Sequence, residues 1–153
     1  MNAGDPYPVG SPGQPWGAAE KAEWRARQRK LRSYADEVVA KIDALRERFD
    51  VAQYGELDYG TDGRYPLYAI RSRDWDDALP VALVTGGVHG YETSGVHGAL
   101  QFAERHAADY AGRANVLVAP CVSPWAYERV QRCTAPPLAP NRTLRADTPL
   151  TQT

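Results

Sequence analysis

The feature that most constrains this chain is a short apolar run, Val81-Ala82-Leu83-Val84, that ends in glycines and gives way to a helical pattern. Consecutive apolar residues without alternation suit a strand covered on both faces. Thr85-Gly86-Gly87-Val88-His89-Gly90 then breaks the run, and its glycines let the backbone turn sharply. From about Thr93 to Tyr110, the residues Val96, Leu100, Ala103, Ala107 and Tyr110 recur at helical spacing and predict one apolar stripe. A second apolar run, Asn115 to Ala119, follows and is closed by Pro120. Strand, helix and strand in that order imply a right-handed crossover between parallel strands. The expected fold class is α/β, a mixed, partly parallel sheet with flanking helices.

Upstream, residues 1–17 are rich in proline and glycine and read as an irregular lead-in. Ala18 to Phe49 reads as helix, with Val38, Ile42, Leu45 and Phe49 at steps of four, three and four on one face. Ser33 either caps a second helical stretch or lies within a continuous helix. Val51 to Leu57 and Pro66 to Arg73 read as strands, with Asp62-Gly63 as a hairpin turn between them. Asp74 to Leu79 is a polar connector. Residues 18–144 are expected to form part of a single domain, and 145–153 an irregular tail.

Composition removes several classes of function. With 153 residues, 43% of them hydrophobic, the chain can bury a real core. A net charge of −1 argues against a nucleic-acid partner. Lys21 to Arg32 carries six basic residues, but acidic residues follow at once. A solvated helix face, with Trp24 and Leu31 packed down, therefore outweighs an arm for phosphate or membrane surface. The N-terminus lacks the basic and apolar regions of a signal peptide, and no apolar run approaches the roughly 20 residues that cross a bilayer. The expectation is a cytoplasmic protein with no membrane or nucleic-acid partner. Cys121 and Cys133 match neither CxxC nor zinc-finger spacing and read as ordinary thiols.

The chemistry concentrates in the glycine-rich turn. His89 and Glu92 lie three residues apart, at the carboxyl end of a strand and the start of a helix, where open α/β sheets bind ligands. At that spacing both side chains point the same way. An imidazole nitrogen and a carboxylate oxygen together suit zinc. The blander alternative has Glu92 merely favouring the helix dipole while His89 packs. The position after a buried strand favours the metal.

Gly86 to Glu92, GGVHGYE, is similar to the first zinc motif of the metallocarboxypeptidase family, in which a His and a Glu three residues later bind zinc. The subgroup it most resembles contains succinylglutamate desuccinylase and aspartoacylase. Pro124 to Arg132 resembles the family segment in which an arginine polarises the scissile carbonyl, and Arg132 matches it. Pro140-Asn141-Arg142 resembles the Asn-Arg pair that grips the substrate's terminal carboxylate. The resemblance implies a zinc cofactor and a substrate, peptide or N-acyl amino acid, with a free carboxylate. The reaction would release a C-terminal amino acid or cleave a related amide bond. The chemistry is consistent: zinc is a Lewis acid, a guanidinium stabilises a developing oxyanion, and arginine takes a carboxylate through paired hydrogen bonds. Outside that pattern, Arg132 and Arg142 would read as surface arginines over apolar neighbours.

The chain departs from the family in three respects. The family's second zinc-binding histidine lies well beyond the Asn-Arg pair, whereas this chain runs 11 residues past Arg142 and has no histidine beyond His106. The family's general-base glutamate lies further still. Ala139 stands where the family has an aspartate that resembles a partner orienting the zinc-binding histidine, a loss worth about 10–100-fold in metal affinity or activity. His97 and His106 lie too far along the following helix to replace the missing ligand. A truncated chain with an exposed sheet edge is the expectation, and such edges favour aggregation. The isolated chain is expected to be poorly soluble, so a soluble monomer with one cooperative unfolding transition contradicts truncation.

Overall fold

The computed structural model describes residues 8–132. Strands β1 (Asp50–Asp58) and β2 (Arg64–Arg71) form the expected antiparallel hairpin, in register from Asp50 opposite Arg71 to Asp58 opposite Arg64, with an irregularity between Gln53 and Gly55. Its turn is a 3₁₀ segment, Gly60–Asp62, followed by Gly63 at φ 106°, a conformation that glycine adopts without steric cost. β3 (Val81–Thr85) and β4 (Asn115–Ala119) pair in parallel from Val81 opposite Asn115 to Thr85 opposite Ala119. β2 joins β4 antiparallel, so the order across the sheet is β1-β2-β4-β3. The α/β class with a mixed, partly parallel sheet is therefore observed.

Three local expectations give way. The first is the long helix. The chain forms α1 (Ala18–Arg27), breaks at Gln28 into extended backbone, and resumes as a π-helical turn, Ala35–Val39, leading into α2 (Ala40–Asp43). The N–H groups of Leu31 and Arg32 both donate to the carbonyl of Glu128, at 2.7 and 3.0 Å, and this holds the linker out of helix. Leu31 is consequently 68% exposed rather than packed, while Trp24 reaches the core beside Trp125. Ser33 caps the second stretch: its Oγ accepts from Asp36 N–H at 3.2 Å, and its own N–H donates to Glu37 Oε1 at 3.2 Å. The basic run is locally neutralised, by Arg27 with Glu23, Arg25 with Asp62, Lys30 with Glu128 and Arg32 with Glu37.

The second concerns β3, which is not covered on both faces. Val81 and Leu83 are 55% and 62% exposed, because β3 is the edge of the described sheet and no described segment covers that face. Of the parallel pair it is β4 that lies inside the sheet, with Val116 and Val118 buried. The third is the end of the apolar stripe. α3 (Thr93–Arg105) buries Val96, Ala99, Leu100 and Ala103, but Ala107–Tyr110 tightens to 3₁₀ geometry and leaves Tyr110 38% exposed.

The core joins Val38, Ile42, Leu45 and Phe49, on the face expected for them, to Ile70, Val116 and Val118 of the sheet and to Trp125 and Tyr127 of α4 (Pro124–Arg129). α4 also buries a charge. Glu128 is 1% exposed; its Oε1 accepts from Tyr34 N–H at 2.8 Å and from Lys30 Nζ at 2.7 Å, and its Oε2 accepts from the Tyr65 hydroxyl at 2.8 Å. Asn115 anchors the connector before β3, exchanging hydrogen bonds with the backbone of Asp76. No helix among the described residues is long and apolar enough to cross a membrane.

A buried carboxylate with this many donors cannot be neutralised without cost. Glu128→Gln keeps the shape, removes the charge opposite Lys30, and sets an amide donor against groups that themselves donate. It is expected to lower stability by about 3 kcal/mol, read as a lower urea midpoint at unchanged m. A shift under about 0.5 kcal/mol would show that the carboxylate is dispensable.

Candidate metal centre

The parallel ladder continues past the ends of β3 and β4 and fixes the loops that follow them. Gly86 N–H donates to the Ala119 carbonyl at 2.9 Å, Val122 N–H to Gly86 at 3.0 Å, and Ser123 N–H to Gly87 at 3.0 Å. The Ser123 hydroxyl donates to the Val88 carbonyl at 2.9 Å. Two glycines make this contact possible. Gly87 has φ 61°, and a Cβ there would lie 2.6 Å from Val96 Cγ2. A Cβ on Gly90 would fall 2.0 Å from the Ala126 carbonyl carbon. The His89 loop thus lies directly on the backbone of α4, closer than any side chain permits.

On this base His89 and Glu92 converge. His89 Nδ1 lies 2.7 Å from Glu92 Oε1; the histidine side chain is 11% exposed and the glutamate 47%. Glu92 occupies the N-terminal boundary of α3 but makes no side-chain capping bond there. Its carboxylate turns back to the imidazole instead. A nitrogen and an oxygen donor sharing one partly open position fit two places of a zinc site. No third His, Cys, Asp or Glu among the described residues joins them.

The other residues singled out by sequence divide as follows. Arg132 is exposed and its Nη1 donates to the Tyr91 hydroxyl at 2.7 Å, and the Tyr91 ring stacks on His89 with centroids 6.1 Å apart and planes 10° from parallel. The structure thus brings Arg132 to the neighbourhood of the pair. Asn141, Arg142 and Cys133 lie outside the described residues. Cys121 is buried, and burial pushes its thiol up to about 12, so it is an inert core group. His106 is solvent-facing beside Asp109. Tyr91 lies within Gly86 to Glu92, but no sequence signal gives it a role.

His97 belongs to a separate network. Arg32 donates to Glu37 Oε2 from Nε and Nη2, at 2.9 and 2.5 Å, and its guanidinium lies 4.6 Å over the Tyr127 ring. The Tyr127 hydroxyl donates to Glu37 Oε2 at 2.9 Å and lies 3.2 Å from His97 Nε2. Burial, then the charges of Lys41 and Arg32, hold the His97 pKa below its ordinary value. A cleft of about 650 Å³ between α2 and α3 is lined by His97, Lys41, Arg48, Ser94, Gln101 and Arg105, and neither His89 nor Glu92 reaches it.

The fold has counterparts among known structures. A proposed metallopeptidase of Shewanella amazonensis superimposes with a TM-score of 0.58 at 25% identity, over 67% of this chain and 37% of that one. A proposed metallopeptidase of Shewanella denitrificans gives 0.61 at 24%, over 73% and 42%. A metallo-carboxypeptidase of Burkholderia cenocepacia gives 0.51 at 17%, over 68% and 31%. The fold is that of the metallo-carboxypeptidases. The chain spans less than half the length of each of these proteins. No family model matches the chain, and no curated protein matches it in sequence.

The Arg32–Glu37 network carries a pH signature. The hydrogen bonds from Arg32, ahead of that from Tyr127 and against some cost of burial, lower the Glu37 carboxyl to about 2 from its ordinary 4.5. A carboxyl depressed in the folded state stabilises the fold above its unfolded pKa and loses that contribution as pH falls through the folded one. The window runs from about 4.5 down to about 2. With the side chain 32% exposed, solvent screening reduces the contribution to about 1 kcal/mol. Glu37→Gln is expected to flatten the acid limb of the unfolding curve in that window. An unchanged limb, measured by urea melts from pH 2 to 7, would remove Glu37 from the account of acid stability.

Proposed function

We propose that this chain carries the metal-binding half of a zinc-dependent metallocarboxypeptidase-type hydrolase, with His89 and Glu92 as two ligands. The observation that supports it is the convergence of His89 Nδ1 and Glu92 Oε1 at 2.7 Å, at the carboxyl ends of two parallel strands in a metallo-carboxypeptidase fold. Zinc, when bound, supplies Lewis-acid activation of the scissile carbonyl and of a water molecule. His89 and Glu92 hold it, the histidine oriented by the Gly90 loop packed on α4. Arg132, exposed beside them, offers guanidinium N–H groups to the oxygen of the scissile carbonyl as negative charge develops there. Asn141 and Arg142 bind the substrate's terminal carboxylate, a role that rests on the family resemblance of their motif.

The substrate is a peptide losing its C-terminal amino acid. A second reading, an amidohydrolase acting on N-acyl amino acids in the manner of the desuccinylase and aspartoacylase group, uses the same donors on a smaller substrate. Zinc sites of this class use three protein ligands, and among the described residues only two converge. A third reading is a relative that binds metal weakly without turnover.

Calorimetric titration with zinc is expected to give a single site that His89→Ala and Glu92→Gln each weaken at least tenfold. Equal zinc binding by His89→Ala would sink the reading. Assays on peptides with free or amidated C-termini, and on N-acyl amino acids, separate the two substrates. Hydrolysis confined to the free-carboxylate peptide is the expected result.

A further inference from the structure

We propose that Tyr91 is a positioning residue, which fixes the Arg132 guanidinium beside the His89–Glu92 pair. The role of Arg132 rests on the hydrolase reading above; the bridge itself rests on geometry alone. Tyr91 sits between the two metal-binding candidates in sequence and is held at three points. Its ring lies flat against His89, with centroids 6.1 Å apart and planes 10° from parallel. Its hydroxyl accepts from Arg132 Nη1 at 2.7 Å. Its backbone N–H donates to the carbonyl of Gln131, the residue before Arg132, at 3.0 Å. The motif loop and the Arg132 segment are thus joined by main chain and side chain at one residue.

An independent observation points the same way. Val130 closes α4 in the left-handed region, at φ 53° and ψ 43°, and it is the one described non-glycine residue with positive φ. A β-branched residue there is strained, and such strain persists where surrounding contacts over-determine it. Gln131 N–H closes the turn onto the Ala126 carbonyl at 2.9 Å, and Val130 N–H reaches Tyr127 at 3.2 Å. The turn delivers Gln131 and Arg132 to Tyr91. A guanidinium on a long flexible side chain stabilises a developing charge only if it is already in place, and here it is held within one tyrosine's reach of His89.

Tyr91→Phe keeps the ring and the backbone bond and removes only the hydroxyl. Nitrogen-15 relaxation at the Arg132 Nε–Hε group reads the consequence without requiring turnover. Wild-type Arg132 is expected to be ordered and Tyr91→Phe Arg132 to move freely, with ring contacts between residue 91 and His89 retained. An Arg132 equally ordered in both proteins, or mobile in both, overturns the proposal whatever the activity. Where peptide hydrolysis is measured, Tyr91→Phe is expected to lower kcat about tenfold with little change in KM, and to add nothing in an Arg132→Ala background. Additive losses in that cycle would also overturn it. A freed Arg132 in a protein that neither binds zinc nor hydrolyses peptides would support Tyr91 as the anchor of Arg132 and remove the hydrolase reading instead.

Discussion

The carboxylate of Glu128 is the joint on which the rest of this structure turns. It sits on the short helix α4, almost wholly buried, and collects donors from three separate parts of the chain: Lys30, the start of the second helical stretch at Tyr34, and Tyr65 of the hairpin. Burying a charge is costly unless it is paired and hydrogen-bonded, and here its three hydrogen-bonding partners are remote in sequence. The backbone carbonyl of the same residue takes the N–H groups of Leu31 and Arg32, so one position holds the N-terminal segment across the core. α4 is thereby fixed against hairpin and helices before it meets the His89 loop.

That placement matters because the site is built by contact with α4. The Gly90 backbone approaches Ala126 more closely than a Cβ allows, and Ser123 holds the Val88 carbonyl from the turn before the helix. Parallel pairing of β3 and β4 brings both loops to the same edge of the sheet, where their hydrogen bonds continue the ladder. His89 therefore has a rigid floor, and rigid support is what a metal ligand or a positioned arginine requires. The polar network of Arg32, Glu37, Tyr127 and His97 stiffens the helix layer beside it while taking no part in the convergence of His89 and Glu92.

Much of this was legible in the sequence because it depends on local patterns. The alternation and turn chemistry of residues 50–71, the apolar runs at 81–85 and 115–119, and the stripe through Val96, Leu100 and Ala103 are set by periodicity, which needs no knowledge of partners. The spacing of His89 and Glu92 in a glycine-rich turn after a strand suffices to bring two donors together. What was missed depended on distant partners. The break after Arg27 follows from a carbonyl a hundred residues away, at Glu128. The exposure of Val81 and Leu83 follows from strand order, which an apolar run cannot reveal.

The sequence by itself therefore determined the kinds of element, the α/β class, and the two side chains that converge as candidate metal donors, since each follows from neighbours within a few residues. Only the tertiary structure decided which strand lies at the edge, which carboxylate is buried, and that Tyr91 bridges His89 to Arg132. Those outcomes depend on hydrogen bonds and close packing between segments far apart in sequence, such as the 41 residues from Tyr91 to Arg132 and the 94 from Tyr34 to Glu128, and no local pattern encodes them.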